Sequence, residues 1–127
     1  HAIAHLTSEL DHIPHDSEAT LDQLNSKLAY FGGQLIDQFA QIKFVSFCTF
    51  EGTRSLHVVM NDNGTDVTVF IIPKSAELTA QETTSQNGYV GTMIDSINAN
   101  LVVVSNDKDT NYNWSQKLTS ALKWHKV

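Results

Sequence analysis

Residues 42–73 constrain the fold of this chain more than any other stretch, because they read as three consecutive β-strands. The run Ile-Lys-Phe-Val-Ser-Phe-Cys-Thr-Phe at 42–50 is dense in aromatic and β-branched residues, the types that suit a pleated, half-buried surface. A period of two puts Phe44, Ser46, Cys48 and Phe50 on one face and Val45, Phe47 and Thr49 on the other. Glu51-Gly52-Thr53 interrupts the run, and residues 56–60 resume it. Asn61-Asp62-Asn63-Gly64 then supplies a turn whose Asn and Gly tolerate positive φ. Residues 67–72 form a near-continuous apolar strand, and Pro73 stops it, since proline has no N–H to give to a central ladder.

Upstream the periodicity turns helical. Ile3, Leu6, Leu10 and Ile13 recur at spacings of three and four, which places them along one side of a helix over 1–13. Pro14 ends that pattern by pushing the residue before it out of the α region. A second helix is expected from Thr20, whose spacing to Gln23 fits a capping box. Its seam is Leu21, Leu24, Leu28 and Phe31, and Gly32-Gly33 offers a left-handed stop. Beyond Pro73 lies a polar, breaker-rich loop over 74–87. A second hairpin follows, with strands at 89–94 and 101–104 around a turn at 96–100. Asp107-Lys108-Asp109-Thr110 caps a last helix that aligns Trp114, Leu118, Ala121 and Leu122. Lys123, His125 and Lys126 are expected in its last turn, where positive charge complements the helix dipole.

Helices, then about five short strands, then a helix define an α+β fold: an antiparallel sheet with N-terminal helices and a C-terminal helix packed on it. The links between strands are too short for parallel crossovers. At 127 residues the chain is read as one domain, with an amphipathic juxtamembrane-type helix at 1–13 and a globular body at 14–127. A net charge of -6 argues against bulk nucleic-acid binding, which needs a basic surface to release counterions. Lys117, Lys123 and Lys126 read as solvated charges rather than a nucleic-acid patch. No apolar run reaches the roughly 18–20 residues of a membrane span. One cysteine excludes an internal disulfide framework. The opening at His1, inside an amphipathic pattern and without Met, suggests a piece of a longer protein cut after a membrane anchor.

An ordered set of residues then carries a resemblance. Pro14, the run Leu-Ala-Tyr-Phe-Gly-Gly-Gln-Leu at 28–35, Ile42-Lys43-Phe44 with Cys48 and Gly52, and Leu56-His57-Val58-Val59 come first. Val-Thr-Val-Phe-Ile-Ile-Pro at 67–73, Gly88-Tyr89-Val90-Gly91, residues 101–104 and Trp124 complete it. Together they resemble the soluble C-terminal region of a proteobacterial domain-of-unknown-function family of single-span membrane proteins. The resemblance implies a periplasmic domain, a span in the bacterial inner membrane upstream of His1, and a role as an anti-sigma factor. It implies a protein partner, a sigma factor, held by a cytoplasmic segment that this sequence does not contain. It supplies no catalytic residues and no cofactor.

Three features bear on chemistry. Cys48, between aromatic residues, is a redox candidate only if a positive neighbour stabilises its thiolate, and Lys43 and His57 are the nearest such groups; the plainer reading is a small buried hydrophobe. His1, His5, Glu9 and His12 fall in one helical quadrant opposite the apolar seam. That stripe could share a zinc ion or titrate together, but a solvated polar face explains it as well. No Gly-x-Ser-x-Gly elbow, Walker loop, dinucleotide fingerprint or His-Glu-x-x-His is present, so the chain is not read as an enzyme. The expected function is a periplasmic sensory or protein-interaction domain of a membrane-anchored regulator. The rival is a thiol- or metal-responsive stress sensor using Cys48 or the histidine stripe.

Overall fold

The computed structural model describes residues 18–50, 52–74, 83–86 and 88–125. In chain order these form α1 (Leu21–Leu28), one 3-10 turn (Ala29–Phe31), β1 (Gly33–Leu35), β2 (Gln41–Phe50), β3 (Thr53–Asp62) and β4 (Thr65–Pro73). They continue as β5 (Thr83–Gln86), β6 (Tyr89–Asp95), β7 (Ala99–Ser105), α2 (Lys108–Ala121) and β8 (Leu122–Trp124). Six strands make one sheet in the order β2-β3-β4-β7-β6-β5, and every pairing in it is antiparallel. The fold is the expected α+β class. Its extra strand, β5, lies within the stretch expected to be loop, and β1 and β8 pair as a small separate sheet.

Local chemistry explains most boundaries. At the β3–β4 turn Asn63 and Gly64 both take positive φ, 54° and 83°, the mirror-image geometry that suits the right-handed strand twist. The Asn61 side chain accepts the Gly64 N–H at 3.1 Å. Thr20 and Gln23 form the expected reciprocal cap, with the Gln23 N–H donating to Thr20 Oγ1 at 3.0 Å and the Thr20 N–H to Gln23 Oε1 at 2.8 Å. Gly32, at φ 75°, closes the 3-10 turn. Asp107 caps α2 through the N–H groups of Asp109 and Thr110.

The C-terminus departs from expectation. α2 stops at Ala121, so Leu122 and Lys123 are strand residues and no basic side chain occupies the last turn of the helix. Tertiary pairing overrides helical propensity here. Leu122 takes ψ 131° and faces Leu35, while Trp124 faces Gly33. The indole N–H of Trp124 donates to Ser96 Oγ at 2.8 Å, tying β8 to the β6–β7 turn. Lys126 lies outside the described residues.

The sheet is apolar on both sides. On its first face Leu56, Val58, Met60, Val69, Ile71, Leu101 and Val103 pack against Leu24 and Leu28 of α1 and Trp114 and Leu118 of α2. On its second face Phe50, Phe70, Ile72, Val102 and Val104 cluster with Cys48 and Met93. This two-sided burial explains why residues 67–72 read as continuous rather than alternating.

Candidate functional site

An open concavity lies where β6 meets the start of α2. β5 pairs with β6 only from Tyr89 to Thr92, so Met93, Ile94 and Asp95 run past it. Across from them stand Lys108, Asp109 and Tyr112 of α2, and together these residues border an open cleft of about 550 Å³. That volume falls in the usual range for ligand clefts.

A buried polar network sets the walls. Asn111 is fully buried, and its side-chain NH₂ donates to Val90 O at 2.8 Å and Thr92 Oγ1 at 3.2 Å. The Ser105 hydroxyl lies 2.6 Å from Asn111 Oδ1. One asparagine thus fixes α2 to β6 and β7 at the back of the cleft, as a satisfied network does in a dry interior. At the helix start the Thr110 hydroxyl, and then the Asp109 N–H, hold the Asp107 carboxyl below its ordinary range. The cap therefore stays ionised at the positive end of α2. Lys74 pairs with Asp95 at the cleft's edge. Apolar Met93 and Ile94 and exposed Tyr112 are ringed by charges of both signs. A second cavity, about 20 Å³ under α1, is lined by Leu24, Leu28, Val58, Met60 and other apolar side chains; it offers no polar group to hold a water.

The residues singled out from sequence fare differently. Cys48 lies on β2 opposite Ser55, half-buried against the second-face cluster. Lys43, one of its candidate activators, pairs with Asp66 at 3.7 Å. The other, His57, stands opposite Ser46 on the same face, diagonal to the cysteine. Burial pushes the His57 pKa down to about 4, so the imidazole is neutral at physiological pH and brings no positive charge to the thiol. His1, His5, Glu9 and His12 lie outside the described residues. Among the described residues no three His, Cys, Asp or Glu side chains gather as a metal would need.

Sequence reasoning missed two things. The cleft residues are ordinary types from segments 13–19 positions apart, and only the strand pairing brings them together. His57 is expected only as a candidate activator of Cys48, yet the residue is 3% exposed, stacked on Phe70 at 4.5 Å and edge-on to Phe44 at 5.5 Å. The available signal was its place inside the run 56–60, which is apolar on both sides. Lys117, read as a solvated charge, is half-exposed, 3.5 Å from Asp62 and over the rings of Phe39 and Trp114. It shields apolar surface with its stem.

These features define an α+β domain with an open cleft backed by a buried hydrogen-bond network, and no helix among the described residues is long and apolar enough to cross a membrane. The chain matches, over residues 1–122, the family described as Protein of unknown function (DUF3379), and it belongs to that family. Neither the curated proteins nor the solved structures hold a match to it.

Proposed function

We propose that this chain is the sensory, partner-binding domain of a membrane-anchored regulator of the anti-sigma-factor type. In this reading the domain works in the periplasm, its anchor lies in the inner membrane, and a cytoplasmic segment holds the sigma factor. The observation that carries the recognition role is the cleft between β6 and α2, whose floor is pinned by Asn111 and whose rim mixes Met93, Ile94 and Tyr112 with Asp95, Lys108 and Asp109. Such a surface binds without chemistry of its own: apolar contact supplies affinity and the charged rim supplies orientation. The anchor and the sigma factor rest on the sequence resemblance alone.

The test uses the intact gene product in its native membrane. Alkaline phosphatase fused after Val127 is expected to be active, which requires export, and an extracytoplasmic-function sigma factor is expected to co-purify with the protein. Replacing Tyr112 with Ala and Met93 with Asp together should abolish the response to envelope stress while the sigma factor still co-purifies. An inactive fusion, or purification without any sigma factor, overturns the reading.

A further inference from the structure

We infer that the surface where the end of α1 meets β2 and β3 docks an acidic segment of a partner protein, through Lys27, Tyr30, Phe47 and Arg54. Strand register places two of the four. Phe47 stands opposite Leu56 and Thr49 opposite Arg54, so Phe47 and Arg54 are diagonal neighbours on the first face of the sheet. Lys27 and Tyr30, three positions apart where α1 runs into its 3-10 turn, come down on the same spot. The Tyr30 ring is edge-on to buried Phe31 at 5.0 Å and to Phe47 at 5.7 Å. It is therefore held in place although the residue is 54% exposed.

Two cations lie on this aromatic floor. The Arg54 guanidinium is 4.9 Å from the Phe47 ring centroid and 5.4 Å from that of Tyr30, and the Lys27 ammonium is 5.4 Å from Phe47. All three contacts are within cation–π reach. Lys117 also lies over rings, but Asp62 takes up its charge; Lys43 and Lys74 likewise stand beside aspartates. Among the described residues no carboxylate comes within ion-pair range of Lys27 or Arg54, although Asp and Glu outnumber Lys and Arg by 14 to 8 in the chain. A guanidinium stacked on rings keeps its in-plane N–H fork open, and that fork matches a carboxylate through two parallel hydrogen bonds. Stacking also removes part of the side-chain entropy that binding would otherwise cost.

Charge and shape select the occupant. Two cations fall short of the cluster of about four to eight basic residues that holds a protein to an anionic membrane. A body of net charge -6 is also repelled by such a surface and by a nucleic-acid backbone. A small inorganic anion would leave the Tyr30 ring in water. A peptide with carboxylates flanking an aromatic or aliphatic side chain satisfies both halves of the surface: its acids meet Arg54 and Lys27, and its apolar side chain lies on Tyr30. The surface belongs to the β2 edge of the sheet, whereas the β6–α2 cleft lies toward the β5 edge. It is a second docking site and does not rest on the regulator reading.

The test titrates a synthetic peptide, acetyl-Asp-Glu-Phe-Asp-Glu-Leu-amide, into the isotope-labelled chain and follows it by NMR. Shifts are expected at the Arg54 Nε–H and at the Tyr30 and Phe47 rings, with a dissociation constant of about 0.1–1 mM that weakens as salt is raised. Arg54→Lys keeps the charge but loses the fork, and should weaken binding by about fivefold or more. Lys27→Gln should weaken it by about twofold or more. Both variants should keep the parent's urea midpoint and Trp114 emission. The same peptide with Asn and Gln in place of its acids should not bind. Binding of that neutral peptide, an affinity untouched by Arg54→Lys, or shifts that miss these residues would overturn the proposal. So would phosphatidylglycerol vesicles or inorganic phosphate perturbing the four residues more strongly than the peptide does. A urea midpoint that falls in Arg54→Lys while the affinity holds would make the cluster a packing device, which also overturns it.

Discussion

The two faces of the sheet are equally dry but differently built. The first is an interface between a sheet and two helices, and polar side chains register it. Asn25 donates to Leu35 O at 3.1 Å and accepts from the Leu35 N–H at 2.8 Å. Asn98 donates to Phe31 O and His125 O at 3.0 and 2.7 Å, and Asn111 holds α2. The second face has no such registry among the described helices, and it carries the two polarisable groups, His57 and Cys48. Fixed hydrogen bonds specify one arrangement of helix on sheet. The first face is therefore the one on which helices are fixed to the sheet.

The largest expected effect separates the two directly. Trp114→Ala on the first face and Phe70→Ala on the second should each cost about 3–5 kcal/mol in urea unfolding of the whole chain, as large buried aromatics do. A cost under about 1 kcal/mol at either position would show that its face does little to hold the chain folded.

Acid sharpens it further. His57 is held neutral by burial, with its pKa lowered from 6.5 to about 4. The unfolded chain therefore binds the extra proton first, and stability attributable to this residue is present above pH 6.5 and falls as the pH drops toward 4. The loss should reach about 3 kcal/mol at the bottom of that window. His57→Leu should flatten this part of the stability profile between pH 6.5 and 4, and an unchanged slope would show that the imidazole is not the group responsible.

On the first face Asn111→Ala should cost about 2 kcal/mol, because Val90 O and the Ser105 hydroxyl lose a buried partner. It should also loosen the cleft, seen as faster hydrogen exchange over residues 90–94. An equal rise over residues 56–60 would mean that the network steadies the whole sheet and not the cleft alone.

What could be read from sequence divides along similar lines. The 42–73 meander, the Thr20 cap, the Asp107 cap and the 89–104 hairpin announce themselves through local periodicity and turn chemistry, and the structure contains them. β1 and β8 do not, because three-residue strands have no period; they exist because Leu35 meets Leu122 and Trp124 meets Gly33. β5, Thr-Thr-Ser-Gln, is polar and owes its strand to pairing with β6. The cleft was illegible for the same reason, since its walls meet only after β6 and β7 have paired.

Two smaller effects test that division between local and tertiary signals. Gly33 is the tertiary case: a Cβ placed there would stand 2.8 Å from Trp124 Cζ3. Gly33→Ala should cost about 1–2 kcal/mol by pushing the indole off β1, with a shift in its emission as it leaves Ser96. Thr20→Ala is the local case and should cost about 1 kcal/mol through loss of the cap, without moving the tryptophan signal. The cap bonds are exposed, so water replaces them, whereas nothing replaces the space that Trp124 fills. If Thr20→Ala proved the costlier change, α1 would owe its place to its cap rather than to Leu24 and Leu28 beneath it, and the first face could not be the fixed one.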